Sequence, residues 1–325
     1  MSGLLIRGTE IEPARVVDVR IANGCIGEIE TRLAPESGED VVEARGGALL
    51  AGLHDHHIHL FALAAAKTSV VCGPPAVADR EGLARALGQA RAEQGWIRGI
   101  GYHESVAGDL DRGQLDTLAA KDIAIRIQHR TGAMWILNSA AIDALDLSGE
   151  VLPEGFECDA KGDPTGRVYD QDAWLRGRLG AKGVPDLSTV GRELAACGVT
   201  AVTDATPDKD ATALQALADA VTRGALPQRV VAMGGLGLTE PEGAPIETGA
   251  VKIMLRERAL ADFDGLVETI RRAHAQARGA AFHCVTRAEL VMAVGALRAA
   301  GVSACDRIEH ASVAPPELTA LVAEL

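Results

Sequence analysis

The sequence predicts an α/β protein, a parallel β/α barrel preceded by a small β domain. Three observations carry this. From residue 49 onward, short apolar runs alternate with amphipathic Ala/Leu/Arg/Glu stretches, the signature of parallel β/α architecture. Several of those runs end on polar residues, as a barrel with its site on the C-terminal face requires. Residues 1–48 read instead as strands and tight turns.

The N-terminal module comes first. Leu4-Leu5-Ile6 is a short apolar run, and Val16 to Ile21 runs into Asn23-Gly24, a strong two-residue hairpin signal. Ile26 to Ile29 returns as the partner strand, and Val41-Val42 starts another. With so little room for a core, residues 1–48 predict a β flap packed on something larger. In 49–325 the strand-like runs are Leu49–Leu53, Ser69–Cys72, Ile123–Ile127, Val199–Thr203, Arg229–Met233, Val251–Leu255, Ala280–Val285 and Arg307–Ile308. Helical patterns lie between them at 80–93, 188–196, 212–222, 263–277 and 287–300. Residues 73–195 are less regular. Their Gly- and Asp-rich stretches, 108–113 and 149–166, read as loops within an insertion between early barrel strands.

Bulk properties exclude several classes. At 325 residues the chain suits one large domain or two ordinary ones. It is 47% hydrophobic and 24% charged, which excludes a disordered chain. No uncharged apolar run reaches bilayer length, and Arg7, Glu10 and Glu12 stand where a secretory signal would be apolar. The net charge of −13, the lack of a basic cluster and an aromatic content of 3% argue against nucleic acid and anionic membrane as partners. The six scattered cysteines read as reduced thiols of a cytoplasmic protein. A small-molecule substrate is the expected partner, and a homo-oligomer is left open.

The densest chemical signal is Gly52-Leu53-His54-Asp55-His56-His57-Ile58-His59-Leu60, which holds four of the nine histidines. It follows the apolar run Gly47–Ala51 and so reads as the end of a strand. Alternation puts Asp55, His57 and His59 on one face and His54 and His56 on the other. Two imidazoles at i and i+2 can reach one metal ion, zinc first among the borderline metals they suit. His283 and His310 each end an apolar run. Alone each would be a satisfied core histidine, but as a pair downstream of His-x-His they read as further ligands. Lys252, inside Val251–Leu255, is costly unless its amine is paired, neutral or modified, the alternative being a lysine snorkelling from a strand end. Cys284, His274, His103 and His129 read as structural or solvated, and Asp204 as a helix N-cap.

Asp55-His56-His57-Ile58-His59 resembles the opening metal motif of the amidohydrolase superfamily. The nearest resemblance is to its YtcJ-like, N-substituted-formamide-deformylase-like branch. Trp96–Tyr102, Asn138–Ala141, Pro164–Tyr169 and Gly198–Asp204 fit that branch in order, so the resemblance covers essentially the whole chain. It implies a (β/α)8 TIM-type barrel. It also implies one or two divalent ions, zinc foremost, held by His57, His59, His283 and His310, with Lys252 as a carbamylated bridge. The implied reaction is hydrolysis of a non-peptide carbon–nitrogen bond, with ring deamination as the nearest variant. The superfamily's catalytic aspartate, at the end of the eighth strand, would fall beyond Leu325. The expectation is therefore a barrel incomplete at its C-terminus, read either as an enzyme lacking its base or as a non-catalytic metal-binding fragment.

Overall fold

The computed structural model describes residues 3–119, 122–147, 151–179, 183–240, 242–257 and 262–325. Its first sheet has the order β3-β2-β1-β4, from β1 (Leu4–Glu12), β2 (Arg15–Ala22), β3 (Cys25–Glu30) and β4 (Asp40–Glu43). β4 runs parallel to β1 and the other pairs are antiparallel. Asn23 and Gly24 both take positive φ, 51° and 78°, as the hairpin between β2 and β3 demands. Leu5, Val17 and Val19 are its buried hydrophobic residues, and Arg20 is anchored by Glu39 at 2.6 Å and Glu28 at 2.9 Å.

β5 (Leu53–Ile58) and α1 (Leu60–Lys67) follow. The run Leu49–Leu53 is therefore not the strand. Leu50 is 76% exposed, and the histidine motif itself is the strand, because pairing to the next parallel neighbour begins only at Leu53.

The insertion is more regular than its glycines suggest. β6 (Val70–Val71), α2 (Arg80–Gln89), β7 (Trp96–Tyr102), α3 (Glu104–Ala107), α4 (Arg112–Asp116), β8 (Ala124–His129) and β9 (Met134–Leu137) come first. α5 (Ser139–Ala144), β10 (Phe156–Cys158), β11 (Pro164–Tyr169) and α6 (Asp172–Arg178) complete it. The strands form one sheet of order β10-β11-β9-β8-β7-β6, parallel across β6-β7-β8 and antiparallel beyond. Ser69–Cys72, expected among the barrel strands, and Ile123–Ile127, a strand-like run within the expected insertion, both belong to this sheet. An apolar run specifies a strand but not the sheet it joins. Ile97, Ile125, Ile127 and Ile136 pack with Leu83, Leu87 and Leu115 of α2 and α4. Trp135, Leu137 and Val168 pack with Ile142 and Leu175 of α5 and α6. Part of the expected loop at 149–166 lies outside the described residues, and the rest holds β10, a turn and the first half of β11.

The remaining elements alternate, except that β14 follows β13 with no helix between them among the described residues: α7 (Ser188–Ala196), β12 (Val199–Asp204), α8 (Ala211–Thr222), β13 (Arg229–Gly234) and β14 (Ile246–Met254). Then come α9 (Phe263–Ala275), β15 (Ala280–Cys284), α10 (Arg287–Ala300), β16 (Arg307–His310) and α11 (Pro316–Ala323). β16-β15-β14-β13-β12-β5 is a six-stranded sheet, parallel throughout. Asp210, Asp262 and Thr286 cap α8, α9 and α10, the last through a capping box with Glu289. The sheet curls until its two outer strands meet. Arg307 of β16 donates to the His56 carbonyl of β5 at 2.8 Å, and His57 of β5 bonds Glu309 of β16.

Candidate metal centre

β5 shows the expected alternation. His54 and His56 stack with ring centroids 4.0 Å apart, and His57 and His59 meet edge-on at 5.3 Å. His54 Nε2 lies 2.9 Å from Thr203 Oγ1 on the neighbouring β12. His57 instead looks across the curl of the sheet, where its Nδ1 meets the Glu309 carboxylate and its ring lies 4.8 Å from that of His310.

His59 ends the strand and starts α1. Its Nδ1 lies 3.2 Å from Thr206 Oγ1. The next residue, Leu60, donates its backbone N–H to Asp204 Oδ2 at 3.0 Å. Asp204 is completely buried, and it also accepts from Thr206 N at 3.0 Å and Lys209 Nζ at 2.7 Å. Burial alone would push this carboxyl up; the Lys209 ammonium and the Thr206 bonds outweigh it and hold the group below the usual carboxylate range. Asp204 is not the N-cap of the helix that follows it, since Asp210 fills that place. It closes the N-terminus of α1 from another strand and so fixes the backbone immediately after His59.

Lys252, His283 and His310 gather at the C-terminal ends of β14, β15 and β16. The His283 and His310 rings are 4.7 Å apart, so His59, His57, His310 and His283 form a continuous series of ring contacts. Burial pushes His283 down to about 4, with the neighbouring His310 adding to it. Burial likewise lowers His59 and His310. Lys252 is 6% exposed and its Nζ is buried with no hydrogen-bond partner among the described residues. Desolvation lowers its pKa, against the pull of Glu309. His310 and Ala311 take φ of 67° and 45°, a left-handed conformation that non-glycine residues adopt at a cost.

The five residues expected as ligands are therefore brought into one neighbourhood. Among the described residues, no three His, Cys, Asp or Glu side chains already stand in an arrangement that would hold a metal ion. The fit to a divalent ion rests on donor chemistry: imidazoles whose pKa is lowered by desolvation, although His59 and His310 keep solvent exposure, and a desolvated amine left without a partner among the described residues.

Several residues differ from expectation. Glu309, buried and bonded to His57, was not singled out in the sequence. It adjoins His310, and strand alternation would send the two to opposite faces. The left-handed turn at His310 breaks that alternation, so both reach His57. Lys209, with a side chain 1% exposed, carries no sequence signal beyond a lysine in a polar loop. His274 is not a solvated helix residue, because its Nε2 bonds Asp306 at 2.9 Å. His103 and His129 flank Glu104, at 3.7 and 3.1 Å. Cys284 is buried core, its thiol pushed up to about 12 by burial.

Residues 40–325 match the sequence profile of the amidohydrolase family. Over 158 residues, 46% of this chain and 29% of the relative's length, the chain is 30% identical to the N-substituted formamide deformylase of Arthrobacter pascens. The fold is similar to that of an uncharacterized metal-dependent hydrolase from Pyrococcus furiosus, with a TM-score of 0.67 and 19% identity over 99% of this chain and 75% of that one. It is similar as well to one from Pyrococcus horikoshii OT3, with a TM-score of 0.69 and 17% identity over 99% of this chain and 73% of that one. A chain that carries this profile over most of its length, on this fold, belongs to the amidohydrolase family.

Proposed function

We propose that this chain is a metal-dependent hydrolase of a non-peptide carbon–nitrogen bond in a small amide, formamide or cyclic amide. The carrying observation is the gathering of four imidazoles and the unpartnered Lys252 amine at the C-terminal ends of β5, β14, β15 and β16. Ligand sites of parallel β/α sheets lie at that end of the strands. The formamide deformylase likeness supports the bond type. Six free cysteines support a cytoplasmic setting.

His57, His59, His283 and His310 would hold one or two divalent ions, zinc foremost, with Lys252 beside them. Such an ion supplies Lewis acidity toward an amide carbonyl and acidifies water. The protein's own part is to orient these donors. Glu309 fixes His57 through Nδ1, leaving Nε2 for the site, and Thr206 does the same for His59. Asp204 holds the backbone behind His59. Lys252, its amine biased toward the neutral form, is set to add to carbon dioxide. The nitrogen–carbon bond forms, a proton leaves to solvent, and a carbamate takes the amine's place.

The test joins metal analysis to an assay. The purified chain should carry divalent metal, and it should hydrolyse some member of an N-formyl, N-acyl and cyclic amide panel, with turnover lost on chelation. A metal-free protein that cannot be loaded would refute the centre. Full activity in chelator would refute the mechanism.

A further inference from the structure

Arg98, Arg126, Gln128 and Trp135 share one face of the insertion sheet. Arg98 and Arg126 are register partners across β7 and β8. Gln128 lies two residues beyond Arg126, and Trp135 is its partner on β9. Both guanidinium groups lie over the Trp135 ring, 5.4 Å and 5.2 Å from its centre. Arg98 donates to Ser69 Oγ and to Gln128 Oε1 at 3.4 Å. Gln128 is itself tied down by donating to Gly132 O at 3.2 Å. Arg126 makes no hydrogen bond or ion pair among the described residues, and its Nε is buried without a partner.

One carboxylate, Asp172, acts on both arginines. Its Oδ1 accepts the Trp135 indole N–H at 2.9 Å, and it forms no salt bridge with either guanidinium. Two half-buried positive charges thus stand side by side against one negative charge. Burial, with Arg98 as a like-charged neighbour, pulls Arg126 down to about 10. Stacking on an indole returns part of that cost. It does nothing for the Nε–H of Arg126, which is buried with no acceptor among the described residues, and buried donors are ordinarily paired.

We propose that Arg98 and Arg126, braced on Trp135, form a binding site for a compact oxyanion, a carboxylate or phosphate group. Arg126 supplies the free planar fork that matches such groups two donors at a time. Gln128 aims Arg98, and Asp172 fixes the indole that both cations lie against. None of these residues belongs to the histidine cluster.

The experiment titrates inorganic phosphate, and separately acetate, into the full chain by calorimetry at constant ionic strength. Saturable binding of at least one anion is expected, weakened at least tenfold by Arg126→Gln and unchanged by His57→Ala/His59→Ala. Arg126→Lys, which keeps the charge without the fork, should fall between. Tighter phosphate points to a phosphorylated ligand, and tighter acetate to a carboxylate. Should Arg126→Gln fail to fold, the wild-type thermal midpoint decides. A rise in the better anion over chloride of equal ionic strength supports the site, and no rise overturns it. No saturable binding, equal binding in Arg126→Gln, or loss in the histidine variant would likewise overturn it.

Discussion

Asp204→Asn is the sharpest probe of how the site is held. The substitution keeps the shape and one acceptor, so Leu60 N–H or Thr206 N–H can still be served. It removes the charge that faces Lys209, whose Nζ otherwise reaches only Thr206 O at 3.4 Å. The side chains of both partners are almost fully buried, at 0% and 1% exposed. Removing one member of such a pair costs roughly 3–5 kcal/mol, because the other charge is left uncompensated. For a chain of this size that lowers the melting temperature by on the order of 10 °C. The assay is thermal unfolding followed by circular dichroism, in chelator so that metal does not contribute. Lys209→Met should cost a similar amount. The double variant should cost well under the sum, since replacing both members leaves no orphaned charge. Because the folded Asp204 carboxyl lies below its ordinary value of about 3.9, its contribution is complete above that value and fades only as pH falls through the folded one. The penalty should therefore be flat from pH 5 to 8. A cost below about 1 kcal/mol, or strict additivity of the two single changes, would refute the reasoning.

Other outcomes follow from the same geometry. His57→Ala/His59→Ala should empty the metal site, measured by elemental analysis, with little loss of fold in chelator. Lys252→Ala should lose the second equivalent of metal, Lys252→Glu should retain part of it, and intact mass should show a carbamate on the wild type alone. Gly279→Ala would set a methyl 2.0 Å from the Cys305 carbonyl, forcing β15 from β16; stability should fall by roughly 1–3 kcal/mol and metal content with it. With Cys72 and Cys284 buried and both raised to about 12, a native thiol titration at pH 8 should count the four exposed cysteines, and denaturation should release the other two.

The histidine motif was legible because strand alternation has period two, and His57 and His59 do share a face. His283 and His310 were legible because each ends an apolar run downstream of the His-x-His motif. Glu309 was hidden because the rule that exposed the histidines forbids it, and the positive φ at His310 that suspends the rule has no sequence mark. Asp204 was read as a local cap, yet its partner Leu60 lies 144 residues away, and no local pattern encodes that. The elements after residue 188 were readable, and the less regular stretch 73–195 stood out as an insertion, but the sheet formed there was not legible. Its strands carry the same apolar runs as the curled parallel sheet, and only tertiary pairing separates the two.

The meeting of β5 with β16 also bears on how the chain acquires its site. His57 and Glu309 are 252 residues apart, and β5 must wait for β12 before it has any neighbour in its sheet. On a ribosome, the insertion sheet can close on itself while the histidine strand is still a bare edge. The late, long-range closure is slow, since chain entropy is spent before any contact repays it. The four imidazoles become a single neighbourhood only when the last strand arrives. Metal offered earlier meets a peptide with four histidines in six residues and none of the later donors. Loading is thus set to follow folding, and nascent chains stalled short of His310 should bind metal weakly and without the selectivity of the finished sheet.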